Sequence, residues 1–125
     1  MALITGTCHC GAVAFTIPQD TDFSTAARCD CSLCRRRWVP TATVPLDLLN
    51  ITKGHDALDC YEWNTKTAKH YYCRHCHTYV FHQRRSDPNE YGVNPGCFDE
   101  VDTHSLAHSA INDGVNHPSD QQDEK

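Results

Sequence analysis

The chain has 125 residues, a formal net charge of −5 and 39% apolar residues, so one domain, or one domain with a tail, is expected. Leu, Ile, Val and Phe together number only 22, against nine Cys, and so few large aliphatic groups leave little surplus over chain entropy; something besides an oily core is needed. No apolar run approaches the ~18 residues of a membrane span, and Met1 to Thr7 lacks the pattern of a secretory leader.

In chain order, Leu3 to Thr7 reads as a strand leading into the knuckle Cys8-His9-Cys10-Gly11. Ala12 to Ile17 reads as a second strand that ends at Pro18, with Val13, Phe15 and Ile17 on one face. Gln19 to Thr25 has no clear period. Cys29 to Arg37 predicts a short helix with Asp30 or Ser32 as its cap. Trp38 to Val44 is extended and at an edge, because Pro40 and Pro45 flank it. Leu46 to Ile51 is a helical turn or a buried strand, between which periodicity does not decide. Gly54 to Asp56 is a turn signal, Leu58 to Trp63 alternates as a strand does, and Asn64 to Thr67 looks like a turn. Ala68 to Tyr72 and Tyr79 to Gln83 read as strands around Cys73-Arg74-His75-Cys76. Asp87 to Glu90 is a polar loop, and Pro95 and Gly96 interrupt Tyr91 to Phe98. The pattern is mainly β, with a domain over 1–111 and a polar, acidic tail over 112–125 expected to be disordered or draped.

Charge is unevenly distributed. Seven acids (Asp99, Glu100, Asp102, Asp113, Asp120, Asp123 and Glu124) and one base, Lys125, fall in 99–125, which leaves the body near neutral. Such a field does not favour a polyanion, and nucleic-acid binding is not expected. Arg28, Arg35, Arg36 and Arg37 form a local exception. A cytoplasmic, reducing setting is the expectation, where clustered Cys reads as metal-binding or catalytic.

Seven of the nine Cys fall into three groups: Cys8 and Cys10; Cys29, Cys31 and Cys34; Cys73 and Cys76. Zn²⁺ favours thiolates, and closed structural sites take four of them. The sensible division gives Cys8, Cys10, Cys73 and Cys76 one closed site and the triple a second zinc. The first clamps segments more than 60 residues apart, where closing the loop matters most, and structural zinc contributes on the order of 10 kcal/mol to folding. The triple leaves a coordination position open, the mark of a catalytic zinc, and adjacent Arg side chains suit substrate carboxylates. The alternative is a second structural zinc completed by a His or by Cys97. Cys60 and Cys97 are read as buried thiols, His9, His75 and His77 as non-ligands, His117 as a turn residue, and Trp38 and Trp63 as core or pocket wall.

The stretches Gly6-Thr7-Cys8-His9-Cys10-Gly11-Ala12-Val13-Ala14-Phe15, Cys29-Asp30-Cys31-Ser32-Leu33-Cys34-Arg35 and Tyr72-Cys73-Arg74-His75-Cys76-His77-Thr78 resemble the Gfa family, the glutathione-dependent formaldehyde-activating enzymes, which are related to centromere-protein-V-type domains. Val93-Asn94 and Phe98-Asp99 resemble its later stretch, so the similarity spans roughly 3 to 118. The resemblance implies a β-tent-type fold, a structural zinc on Cys8, Cys10, Cys73 and Cys76, and an active-site zinc on Cys29, Cys31 and Cys34. It also implies a carbon–sulfur lyase that adds glutathione, a small-molecule thiol, to formaldehyde. Arg35, Arg36 and Arg37 are the candidate substrate-binding residues. The alternative is a non-catalytic, zinc-stabilised binding module. The family has Gly after the last Cys where this chain has His77, a position suited to φ > 0.

Overall fold

The computed structural model describes residues 2–63 and 68–112. Its elements run β1 (Leu3–Thr7), β2 (Ala14–Pro18), β3 (Arg28–Cys29), α1 (Ser32–Arg37), β4 (Ala42–Pro45), β5 (Asn50–Lys53), β6 (Leu58–Tyr61), β7 (Lys69–Cys73), β8 (Tyr79–Gln83), β9 (Glu90–Val93) and β10 (Ile111–Asn112). The architecture is mainly β, as the alternation and the turn signals predict. Strands β1, β2 and β5 form one antiparallel sheet, and a five-stranded antiparallel sheet runs β4-β9-β8-β7-β6. Strands β10 and β3 make a short parallel pair.

The core lies between the two larger sheets. Val13, Phe15 and Ile17 share one face of the β2 segment and are fully buried, because every second side chain of a strand points the same way. Phe15 meets Phe81 of β8 edge-on at 5.1 Å and Phe98 at 5.4 Å. Burying each ring contributes roughly 1.5–3 kcal/mol, and each aromatic contact about 0.5–1.5 kcal/mol more. Gly6 pairs with Phe15 across the β1–β2 ladder. A Cβ there would lie 2.8 Å from the Phe15 and Phe98 rings, so the strand can pass only without a side chain.

The five-stranded sheet buries Phe81, Val93 and Ala42 in this core. Its other face carries the cross-strand row His70, His82, Gly92 and Thr43. Pairing steps from Tyr71–Phe81 to Tyr72–Tyr79 and skips Val80. A bulge of this kind re-aims the side chain beside it. It puts Tyr79 on the same face as His82, although they are three positions apart.

Several details differ from the expectations. Strand β2 begins at Ala14, β6 ends at Tyr61, and Leu46 to Ile51 divides into a 3-10 turn over Leu46–Leu48 and the start of β5. The cap of α1 is neither Asp30 nor Ser32 but Cys31, whose sulfur accepts from the Cys34 N–H. Trp38 is not core or wall: it ends α1 in the left-handed region at φ 59 and is 63% exposed. Cys60 is exposed, whereas Cys97 is buried. Strand β4 is an edge, as Pro45 requires. Asn112 pairs with Cys29 in β10. The expected turn at Asn64 to Thr67, His117 and the tail beyond Asn112 lie outside the described residues.

Candidate functional site

Both knuckles lie at hairpin tips. Cys8 and Cys10 follow β1, and Cys73 and Cys76 close the β7–β8 hairpin. The four sulfurs lie within 4.8 Å of one another, with Cys10 at 3.7 Å from both Cys8 and Cys73. A tetrahedron with 2.3 Å metal–sulfur arms has edges of about 3.8 Å, so the four sulfurs fit a divalent ion. Backbone N–H groups point at them: Val13 at Cys8 over 3.3 Å and His75 at Cys73 over 3.4 Å. Such donors stabilise thiolates. The cluster ties a hairpin of one sheet to a hairpin of the other. None of the nine Cys forms a disulfide.

Each knuckle closes with a residue at φ > 0: Gly11 at φ 82 and His77 at φ 63. The His77 N–H donates to the Cys73 carbonyl over 2.8 Å. The left-handed conformation expected at His77 is therefore present. His9, His75 and His77 contribute no atom to either sulfur cluster.

Cys29, Cys31 and Cys34 form the second cluster, also within 4.8 Å of one another. Cys29 ends β3, Cys31 caps α1, and Cys34 lies in its first turn. Hydrogen bonds from Cys29 and Cys34 pull the Cys31 thiol far below its usual range. The contacts with Cys29 and Cys31, then burial, push Cys34 far above it. The contact with Cys31 also pushes Cys29 up. Three sulfurs this close ionise together only with a cation among them, so the donor set suits a thiophilic metal ion. Among the described residues no fourth His, Cys, Asp or Glu atom joins this cluster. Cys97 lies elsewhere: its sulfur approaches the Tyr79 carbonyl at 3.9 Å, and burial, then Cys8 and Cys76, push its pKa up to about 12.

The triple opens onto a cavity of about 280 Å³ whose wall includes Arg28, Arg37, Arg84 and Arg85 and, among the described residues, no carboxylate. Of the three arginines after Cys34, only Arg37 lines it; Arg35 and Arg36 are exposed, and Arg36 bonds back to the Ser32 carbonyl. Arg28 lies over the Trp38 ring at 3.8 Å and donates to the Ser109 carbonyl. Arg84 donates to Thr41 and Thr43 and lies 3.8 Å from Glu90. Trp63 is part of the wall.

His70, His82 and Tyr79 did not stand out in the sequence, yet both imidazoles line this cavity. The rings of His70 and His82 stack at 5.1 Å and 23°. Burial, then the Arg37 charge, lowers the His70 pKa to about 4. Burial, then His70, holds His82 well below the usual imidazole range. A hairpin drawn symmetrically about Cys73–Thr78 pairs His70 with Phe81 instead, and only the bulge at Val80 brings the two His opposite each other.

A family model described as "Glutathione-dependent formaldehyde-activating enzyme" matches residues 3–112. The chain belongs to the GFA family. A crystal structure of a Rhodobacter sphaeroides protein, a structural-genomics target, is similar at 44% identity and a TM-score of 0.83, over 87% of this chain and 100% of that one. The Gfa resemblance of the three Cys groups is thus borne out at the level of family and fold. This GFA chain carries two Cys clusters able to hold metal ions, and among its described residues no helix is long and apolar enough to cross a membrane.

Proposed function

We propose that this protein is a zinc enzyme of carbon–sulfur chemistry. It joins a carboxylate-bearing thiol of the glutathione type to formaldehyde and, in reverse, acts as a carbon–sulfur lyase. The observation that carries this reading is the pairing of three convergent sulfurs with a cavity wall of four arginines. The family description points the same way.

Cys8, Cys10, Cys73 and Cys76 would hold a structural zinc, and Cys29, Cys31 and Cys34 a second one. A zinc on three sulfurs supplies a position for a substrate thiol and lowers its pKa. The chain's own residues do the rest. Arg84 and Arg85 offer N–H donors to carboxylates, and a wall with no carboxylate among the described residues adds a favourable field. Trp63 and the sheet face narrow the space in which a small carbonyl meets the sulfur, which is a gain by proximity. In the addition, the S–C bond forms, the C=O π bond opens, and the thiol proton ends on the new hydroxyl. Arg37 is the nearest fixed positive charge to the triple and stabilises the oxygen as it gains charge. A cytoplasmic location suits thiols that must stay reduced.

The test is exchange between ¹³C-formaldehyde, glutathione and their adduct, followed by NMR with and without the zinc-loaded protein. Acceleration that Cys31→Ser abolishes, with folding intact, supports the reading. Acceleration equal to buffer rejects it and leaves a zinc-stapled binding module.

A further inference from the structure

We propose that Tyr79, His82 and His70 are positioning residues that hold the Arg37 guanidinium against Cys34 and so set the charge environment of the three-sulfur centre. Arg37 Nη1 is 3.0 Å from His70 Nδ1, and its Nη2 donates to the Cys34 sulfur over 3.5 Å. A guanidinium only donates, so His70 Nδ1 accepts and the ring's proton sits on Nε2. The guanidinium carbon also lies over the Tyr79 ring, 3.8 Å from its centroid. The Tyr79 hydroxyl hydrogen-bonds His82 Nδ1, and His82 stacks on His70. Each link leads back to Arg37, so a long side chain with many rotamers is held in one.

Two further observations separate this ring from ordinary packing. Burying two imidazoles and a phenol costs more than burying aliphatic groups of the same size, and this face of the sheet is opposite the aromatic core. The backbone also makes room for it. A Cβ at Gly92 would lie 2.6 Å from His82 Cε1, and the bulge beside Val80 turns Tyr79 into the ring.

The proposal rests on the enzyme reading for its kinetic test only. In the cobalt-loaded protein, sulfur-to-cobalt charge-transfer absorption reports charge at the sulfurs, and Cys31→Ser supplies the baseline of the four-sulfur site. His70→Asn keeps an acceptor near the Nδ1 position; His70→Leu fills similar space without one. His70→Leu is expected to shift the band of the triple and to slow glutathione–formaldehyde exchange about ten-fold, while His70→Asn stays near wild type in both. Equal bands and rates for Leu and Asn overturn the proposal. Tyr79→Phe keeps the ring under Arg37 and removes the hydroxyl; it is expected to shift the band less, in the same direction. If His70→Leu does not fold, an unchanged band in Tyr79→Phe overturns the proposal. If the wild type shows no exchange, the enzyme reading alone fails, and the cobalt band still decides.

Discussion

His77 turns the chain at φ 63, where an L side chain crowds its own backbone, at a cost of roughly 1–2 kcal/mol. Glycine makes the same turn without that crowding but loses more freedom on folding. His77→Gly is therefore expected to raise stability by about 0.5–1 kcal/mol, read as a higher urea midpoint with metal content unchanged. No gain would mean that the imidazole makes a stabilising contact. The sulfurs separate by role at this scale too. Cys73 is fully buried at a hairpin tip, whereas the triple lines a cavity. Cys73→Ser should cost several kcal/mol, comparable with a typical domain's whole stability, and thermal scans should find little cooperative unfolding. Cys31→Ser should keep a cooperative transition and lose exchange activity. An equal collapse of both variants would mean that the triple is structural.

At the scale of elements, the face of the five-stranded sheet away from the core is shaped by one missing Cβ and one extra residue. Gly92→Ala drives a methyl into His82 and Thr41. It should cost about 1–3 kcal/mol, measured by denaturant titration, and slow exchange through the displaced ring. Much of the element pattern was legible in the sequence: the β1–β2 and β7–β8 hairpins follow from alternation around tight Cys turns, and β4 is an edge because Pro45 cannot donate. The bulge at Val80 was not legible, because it depends on which residue of β7 faces Tyr79. Nor was the α1 cap, since sulfur rarely stands in for Asp or Ser and does so here because Cys31 already faces its cluster. Trp38 misled by composition; a bulky indole ends a helix in the left-handed region, beneath the Arg28 guanidinium.

Across the whole molecule, buried neutral imidazoles tie stability to pH. An unfolded His takes up its proton near pH 6.5, while burial lowers His70 to about 4 and holds His82 well below the usual imidazole range. Their contribution is complete above about pH 6.5 and is lost as pH falls toward 4. Each costs about 1.4 kcal/mol per pH unit inside that window. Urea titrations from pH 7 to 4.5 should give a shallower slope for His70→Asn than for wild type; equal slopes would remove His70 as a source. Both sulfur clusters were legible because local spacing defines each group and only one division leaves sensible counts. The cavity was not, because Arg84, Arg85 and the two His come from segments far from the triple in sequence. A run of three arginines pointed to Arg35 and Arg36, but helical geometry turns only Arg37 inward. The proposed chemistry needs two metal sites of unequal saturation. Zinc content together with X-ray absorption at the zinc edge, with and without millimolar glutathione, tests it most directly. Two zinc ions per chain are expected, one on four protein sulfurs and one on three, with one further sulfur gained when the thiol is added; a single zinc per chain, or a sulfur shell that the thiol leaves unchanged, would contradict the proposed chemistry.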